Sequence, residues 1–186
     1  MGKTYDQLDD RLIDFIRKQK MFFVASAPLS PEGHVNMSPK GYDSFAVLGP
    51  DEVAYIDLGG SGIETQAHVQ ENGRITIMFC AFEGAANILR LYGRGEAIDF
   101  DHPDFPEMLA LFPGYDRARA IIRVKLSRIQ DSCGWGVPFY DFKGERDQLR
   151  RWVDNVETEA EWRDRRYARN AESIDGLPGL KGASRS

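Results

Sequence analysis

The order of apolar and polar residues predicts a chain built mostly of short strands joined by tight turns. Apolar positions spaced three and four apart in residues 6–20 predict a first amphipathic helix. Alternating or continuous apolar runs between Gly, Pro and Asp residues then predict strands. They cover residues 21–27, 34–38, 45–48, 52–58, 74–82, 87–100 and 119–129. Further helices are predicted at residues 64–72, which Gly73 ends, and at residues 103–112.

The predicted strands outnumber the helices and follow one another over short links. This order favours a mainly β (α+β) fold, in which an antiparallel sheet closes into a barrel and the helices lie outside. We expect the barrel domain to span residues 1–142 and a charged helical extension to span residues 143–186. The apolar positions of the extension are Leu149, Trp152, Val153, Val156 and Trp162. The extension packs either on its own barrel or on a second subunit, and the sequence leaves both open.

Composition excludes several function classes. The chain has 186 residues, of which 42% are hydrophobic, so it can bury a core. A net charge of -5 argues against a nucleic-acid partner, which would require a basic face. The polar start, Met1 to Asp6, does not resemble a signal peptide, and the apolar runs are too short to span a bilayer. The expectation is a soluble, cytoplasmic protein with no membrane partner.

Histidines and cysteines give no sign of a metal site. His34, His68 and His102 are far apart and lack the spacing of zinc ligands. Cys80 falls within an apolar strand and is expected to be a small buried residue. Cys133 has no recognisable base nearby, so a nucleophilic role is not favoured. One disulfide between the two cysteines remains open at this point.

A glycine-rich stretch, residues 59–62, immediately precedes the predicted helix at residue 64. Backbone N–H groups at a helix N-terminus attract anions, and the hydroxyls of Ser61 and Thr65 add donors. Lys40, which follows an earlier strand, would add positive charge, whereas Glu64 would repel an anion. The pattern is typical of a phosphate site, and the competing interpretation is an ordinary glycine-rich turn with a surface lysine.

Two other features have a functional and a structural interpretation. Trp135 lies between two glycines, so it either covers a flat aromatic ligand or fills one end of the barrel. Arg90, Tyr92 and Arg94 alternate along one predicted strand and therefore share a face. That face is either an anion-binding wall or an ordinary polar outer surface of the barrel.

Residues 21–138 resemble the flavin-binding split barrel of the pyridoxamine 5'-phosphate oxidase superfamily. The oxidase strand Arg-Met-Val-Leu-Leu-Lys-Gly corresponds to residues 35–41 here, in which Lys40 and Gly41 keep the pattern. The oxidase's Thr-Asn followed by Ser-Arg-Lys corresponds to Asp57 and the glycine-rich stretch, so two basic residues are missing. Arg90 matches an arginine of the strand Arg-Gln-Val-Arg. The chain looks like an uncharacterised branch rather than the oxidase itself.

The resemblance implies an antiparallel split β-barrel, FMN as cofactor, and a homodimer with flavin at the subunit interface. The implied activity is an FMN-dependent oxidoreductase that transfers a hydride or two electrons to or from a small organic substrate. A deazaflavin-dependent reductase, a haem-binding or haem-degrading protein and a non-catalytic flavin-binding module are the alternatives. No catalytic side chain is identified. The implied cofactor-binding residues are Asn36, Met37, Ser38, Lys40, Asp57, Ser61, Gly62, Thr65, Arg90 and Trp135.

Overall fold

The computed structural model describes residues 2–155 and 158–180, so Val156 and the end of the predicted extension, residues 181–186, lie outside it. The strands are β1 (Thr4–Tyr5), β2 (Phe22–Ser26), β3 (Asn36–Lys40), β4 (Phe45–Gly49), β5 (Glu52–Asp57), β6 (Arg74–Cys80), β7 (Ile88–Asp99) and β8 (Ala120–Ser132). The helices are α1 (Asp10–Lys18), α2 (Glu64–Asn72), α3 (Phe105–Leu109), α4 (Gln148–Asp154) and α5 (Glu159–Arg169). No helix of this part of the chain is both long and apolar enough to cross a membrane.

The strands form one antiparallel sheet in the order β3-β2-β6-β7-β8-β5-β4, and β1 pairs with β8. This arrangement confirms the predicted mainly β, split-barrel fold with helices outside the sheet. The expected closure of the barrel is wrong, because β3 and β4 end the hydrogen-bonded path without pairing in the described chain. β3 suits an edge position since Pro39 has no N–H to donate to another strand. The gap beside β3 leaves room for a cavity.

The inner face of the sheet encloses a first core, which α1 covers at one end. Asp9 caps α1 by accepting the Leu12 N–H at 2.8 Å, and Leu12 is completely buried in this core. Aromatic rings pack edge to face here, with the Phe22 ring 5.1 Å from Phe45 and 5.7 Å from Tyr55 between centroids. This packing fixes the strands that lead to the cavity.

A second core lies on the outer face of β5 and β8. Successive residues of β5 point to opposite faces, so Tyr55 enters the first core and Ile56 the second. Trp162 of α5 is 1% exposed in the second core, and its ring lies 5.2 Å from that of Phe100. Leu180 is buried in the same cluster. Trp162 therefore packs on its own barrel, although the boundary between the two expected domains stays a prediction.

The segment after α5 returns to β3 and α2. The Asp175 carboxylate lies 2.6 Å from the His34 ring Nδ1 and accepts the His34 backbone N–H at 2.8 Å. These hydrogen bonds hold the pKa of Asp175 below its usual value. The Ile174 N–H donates to Glu64 at 3.3 Å. The C-terminal residues are thus held close to the start of α2.

Candidate functional site

A cavity of about 500 Å³ lies where β3, the end of β5 and the start of α2 meet. Its volume falls within the range of about 300–1,000 Å³ that is usual for small-molecule sites. Residues 36, 38 and 40 reach it together because alternate residues of β3 face the same side. The predicted site residues that line it are Asn36, Ser38, Lys40, Asp57, Ser61, Gly62 and Thr65. We call it the anion cavity, for the charges described next.

Buried opposite charges form the floor of the anion cavity. Asp57 is 2% exposed, and one of its oxygens accepts a hydrogen bond from Arg119 at 2.8 Å. Its other oxygen lies 3.7 Å from the Lys40 Nζ and accepts the Gly59 N–H at 3.0 Å. Burial alone would raise the pKa of Asp57, but Arg119 and Lys40 outweigh it and hold that pKa well below its usual value. The carboxylate therefore stays ionised.

Arg119 is the site residue that the sequence analysis missed. It is 4% exposed and lines the cavity, and besides Asp57 it donates to the Gly62 carbonyl at 2.7 Å. Its Nε has no hydrogen-bond partner among residues 2–155 and 158–180. Its position follows from strand register, because Ala120 pairs with Asp57 at the end of β5. No local motif marks an arginine that is placed this way.

The start of α2 borders the anion cavity through Glu64 and Thr65. Ile63 occupies the N-cap and has no side-chain acceptor, so no cap side chain satisfies the first N–H groups of the helix. Asn36 donates to the Thr65 hydroxyl at 2.8 Å and links β3 to this end of the helix. Glu64 also lines the cavity and keeps the negative charge expected to oppose an anion, while one of its oxygens accepts the Ile174 N–H at 3.3 Å. The arrangement can bind an anionic group.

The remaining predicted residues, Met37, Arg90 and Trp135, do not line the anion cavity. Met37 points away from it along β3 and is 64% exposed. Arg90 lies on β7 and donates to the Ser132 hydroxyl at 3.0 Å. Trp135 is 86% exposed, so it does not fill the end of its own barrel.

The turn that carries Trp135 is fixed by glycine. Gly134 has a left-handed φ of 67°, and a Cβ there would lie 2.7 Å from the Asn87 nitrogen. From Trp135 to Phe142, four aromatic side chains are exposed. They are Trp135, Phe139, Tyr140 and Phe142. We call residues 135–142 the aromatic segment.

A larger cavity of about 1530 Å³ adjoins the anion cavity and is lined in part by the aromatic segment. The two cavities share residues 39–42. Tyr42 has an unusual left-handed φ of 62°, and its hydroxyl donates to the Arg146 carbonyl at 2.5 Å. Such a conformation in a bulky residue is uncommon and is often found at functional sites.

The histidines and cysteines of the described chain lie apart from the anion cavity. No group of three His, Cys, Asp or Glu residues there could hold a metal ion. His68 is buried in α2 with its Nδ1 3.0 Å from the Ser26 hydroxyl, and burial lowers the pKa of its ring. Cys80 is buried as expected, and Cys133 is exposed. Both cysteines are free, so the disulfide left open by the sequence is not formed.

Comparison with known proteins agrees with this architecture. The pyridoxamine 5'-phosphate oxidase family profile matches residues 8–133. A pyridoxamine 5'-phosphate oxidase family protein of Aspergillus flavus, ustO, is 38% identical over 197 residues, covering 97% of this chain and 79% of the relative.

Two solved structures share the fold at low identity. A single-residue variant of HupZ from Group A Streptococcus has a TM-score of 0.55 at 19% identity, covering 67% of this chain and 98% of the other. A candidate pyridoxamine 5'-phosphate oxidase from Lactobacillus delbrueckii has a TM-score of 0.51 at 12% identity, covering 67% and 94%. Together with the family match, these likenesses confirm the resemblance inferred from the sequence. The chain therefore belongs to the pyridoxamine 5'-phosphate oxidase family.

Proposed function

We propose that the anion cavity binds the phosphate end of FMN and that the protein is an FMN-dependent oxidoreductase for a small organic substrate. The observation that carries this proposal is the buried charge cluster, in which Arg119 and Lys40 surround the single carboxylate of Asp57. A phosphate monoester carries a charge of about -1.5 to -2 at neutral pH. It would complement both the cluster and the free N–H groups of α2.

The side chains present fit such a phosphate. Lys40 supplies a point charge, the hydroxyls of Ser61 and Thr65 supply donors, and Arg119 holds the glycine-rich stretch through the Gly62 carbonyl. FMN, when bound, supplies the two-electron chemistry, while the protein contributes position, electrostatics and exclusion of water. None of the described residues that line the cavity is a histidine, so no observation favours haem over flavin.

A comparison of FMN with riboflavin tests the proposal. The two molecules share the isoalloxazine ring and differ in the phosphate, so a phosphate site predicts tighter binding of FMN. Both are titrated into the purified protein while flavin fluorescence is followed. Equal affinities would contradict the phosphate site. If neither FMN nor riboflavin binds, and the purified protein shows the visible absorption bands of a deazaflavin or of haem, the result would favour the corresponding alternative.

Replacing Lys40 with methionine is expected to weaken FMN binding by about 1–3 kcal/mol and to leave riboflavin binding unchanged. The reason is that Lys40 supplies charge to the phosphate, whereas Arg119 alone makes the short contact to Asp57. Fluorescence titration of the two flavins measures the difference. Lys125→Met is the control, because Lys125 is paired with Asp51 on the surface. A variant with unchanged FMN affinity and strongly reduced stability would show that Lys40 is structural.

The proposed unit is a homodimer in which the second copy covers the aromatic segment and the larger cavity. The exposed rings of residues 135–142 form an apolar surface of the kind that marks interaction sites. Of the two tryptophans in the extension, Trp162 is buried, whereas Trp152 stacks on Arg166 and is 39% exposed. The main support for the interface therefore comes from the aromatic segment and not from the extension.

Substitution of Phe139 by aspartate is expected to shift the protein from dimer to monomer and to release flavin with it. A ligand that binds only the dimer stabilises the dimer by mass action. Sedimentation velocity with and without FMN, over a dilution series, measures both effects. Leu111→Asp is the control, because Leu111 is exposed outside the aromatic segment. A wild-type monomer that binds one FMN per chain would exclude an interface site.

A further inference from the structure

Arg166 of α5 is a buried cation. It is 3% exposed, and its Nε has no hydrogen-bond partner in the described part of the chain. The carboxylate whose field reaches it is Asp57, which is already bonded to Arg119. Burial, assisted by Arg119 and Arg169, lowers the pKa of Arg166 to about 10. A buried charge without its own partner is costly, so its position requires an explanation.

The guanidinium of Arg166 does not line the anion cavity itself but packs against Gly59, which does. Its Cζ is 3.4 Å from the point that a Cβ of Gly59 would occupy, and Gly59 lines the cavity. The Cβ of Arg119 lies 3.6 Å from the same point. On its other side, Arg166 stacks on the ring of Trp152 at 3.9 Å. The absence of a side chain at residue 59 therefore lets the guanidinium pack closely against the backbone of a residue that lines the cavity.

The buried charges beside the cavity do not balance. Arg119 and Arg166 are almost completely buried, and Asp57 is the one carboxylate of this cluster, among the described residues, that is equally buried. The buried part of the cluster thus has an excess of positive charge in a chain whose net charge is -5, and the more exposed Lys40, Glu64 and Glu145 lie around it. Like charges that are held together in a buried site repel, and an anion bound between them removes part of that repulsion.

We infer that Arg166 completes the anion site of the cavity and, together with Arg119, replaces the basic residues missing from the glycine-rich stretch. The ligand group is a phosphate monoester or a similar doubly charged oxyanion. Arg166 lies outside the family match of residues 8–133, so the extension contributes to binding. That the phosphate belongs to FMN rests on the proposed function, whereas the anion site itself does not.

A purely structural role would also place Arg166 between Trp152 and Trp162, whose rings it contacts at 3.9 and 5.1 Å. The two roles differ in one measurable respect. If Arg166 is purely structural, its replacement changes stability and changes the affinities for riboflavin and FMN equally. If Arg166 belongs to an anion site, its replacement weakens only the binding of FMN, which carries the phosphate. The ratio of riboflavin to FMN dissociation constants therefore separates them.

The test uses the full-length protein with Arg166→Met, which keeps an apolar contact to Trp152 but removes the charge. We expect the riboflavin-to-FMN ratio to fall about tenfold or more, which corresponds to about 1.4 kcal/mol or more. Riboflavin affinity itself stays unchanged, and Arg166→Lys, which keeps the charge, shows a smaller fall. Arg165→Met, an exposed neighbour on the same helix, keeps the wild-type ratio. As a second probe, inorganic phosphate raises the unfolding temperature of the wild type more than that of Arg166→Met.

The outcomes are distinct. A wild-type ratio and a wild-type response to phosphate in Arg166→Met would overturn the inference. If neither flavin binds the wild type but phosphate still stabilises it through Arg166, the proposed function fails and the anion site stands. If Arg166→Met does not fold, Arg166→Gln decides the matter, and an unchanged ratio in Arg166→Gln would count against the anion site.

Discussion

Replacing Asp57 with alanine is expected to lower the free energy of unfolding by about 3–5 kcal/mol, the usual cost of leaving one charge of a buried pair unpaired. The change removes the carboxylate that Arg119 contacts at 2.8 Å, and both side chains are almost completely buried. Urea unfolding followed by circular dichroism measures the loss. Asp51→Ala is the control, because its pair with Lys125 is exposed and is expected to contribute only about 0–1 kcal/mol.

The loss is also expected to depend on pH. The folded pKa of Asp57 lies below its ordinary value of about 3.9, so its stabilising contribution is complete above that value. The contribution declines as the pH falls toward the lower folded pKa. The difference in unfolding free energy between wild type and Asp57→Ala should therefore be constant from about pH 5 to 8 and shrink below about pH 4. If this difference in unfolding free energy disappeared near neutral pH, the pH dependence would belong to another titrating group.

Replacing Trp162 with alanine is expected to cost about 3–5 kcal/mol of stability, because it leaves a large cavity in the second core. The ring is 1% exposed and packs against Phe100. Trp135 is 86% exposed, so Trp135→Ala should change the free energy of unfolding by less than about 0.5 kcal/mol. This value applies when the protein concentration is below the dissociation constant of the dimer. Denaturant melts of both variants give the comparison. Similar losses would mean that the extension contributes little to the core.

Much of the fold was predictable because short-range patterns determine it. The helix α2 begins at Glu64 and ends at Asn72, as predicted, since Gly73 adopts the left-handed conformation that ends helices. Strand β1 has two residues and is too short to produce a periodic pattern. The open sheet was not predicted because an edge depends on which strands meet in space. The proline of β3 is consistent with an edge but does not reveal the missing neighbour.

Some residues of the candidate site were also named from the sequence, and others were revealed only by the structure. Asn36, Ser38 and Lys40 were named because the family resemblance implies them, and the structure brings them to one side because β3 carries them at alternate positions. Arg119 was missed because its partner Asp57 is 62 residues away, and only the register of β5 against β8 brings them together. The position of Arg166 cannot be read from strand register at all, because it depends on how α5 docks onto the outer face of the sheet. Sequence patterns describe each element well, but they do not describe contacts made by the ends of separate elements.

The second core has a consequence for the order of events during synthesis. The outer faces of β5 and β8 stay partly uncovered until α5 is made, because Trp162 and Leu180 complete a cluster to which α3 already contributes. A nascent chain that already contains the whole sheet therefore still exposes an apolar surface. Partly covered sheets of this kind are prone to associate with other chains. The interval between the emergence of β8 and that of α5 is thus the time when this protein most needs protection from aggregation.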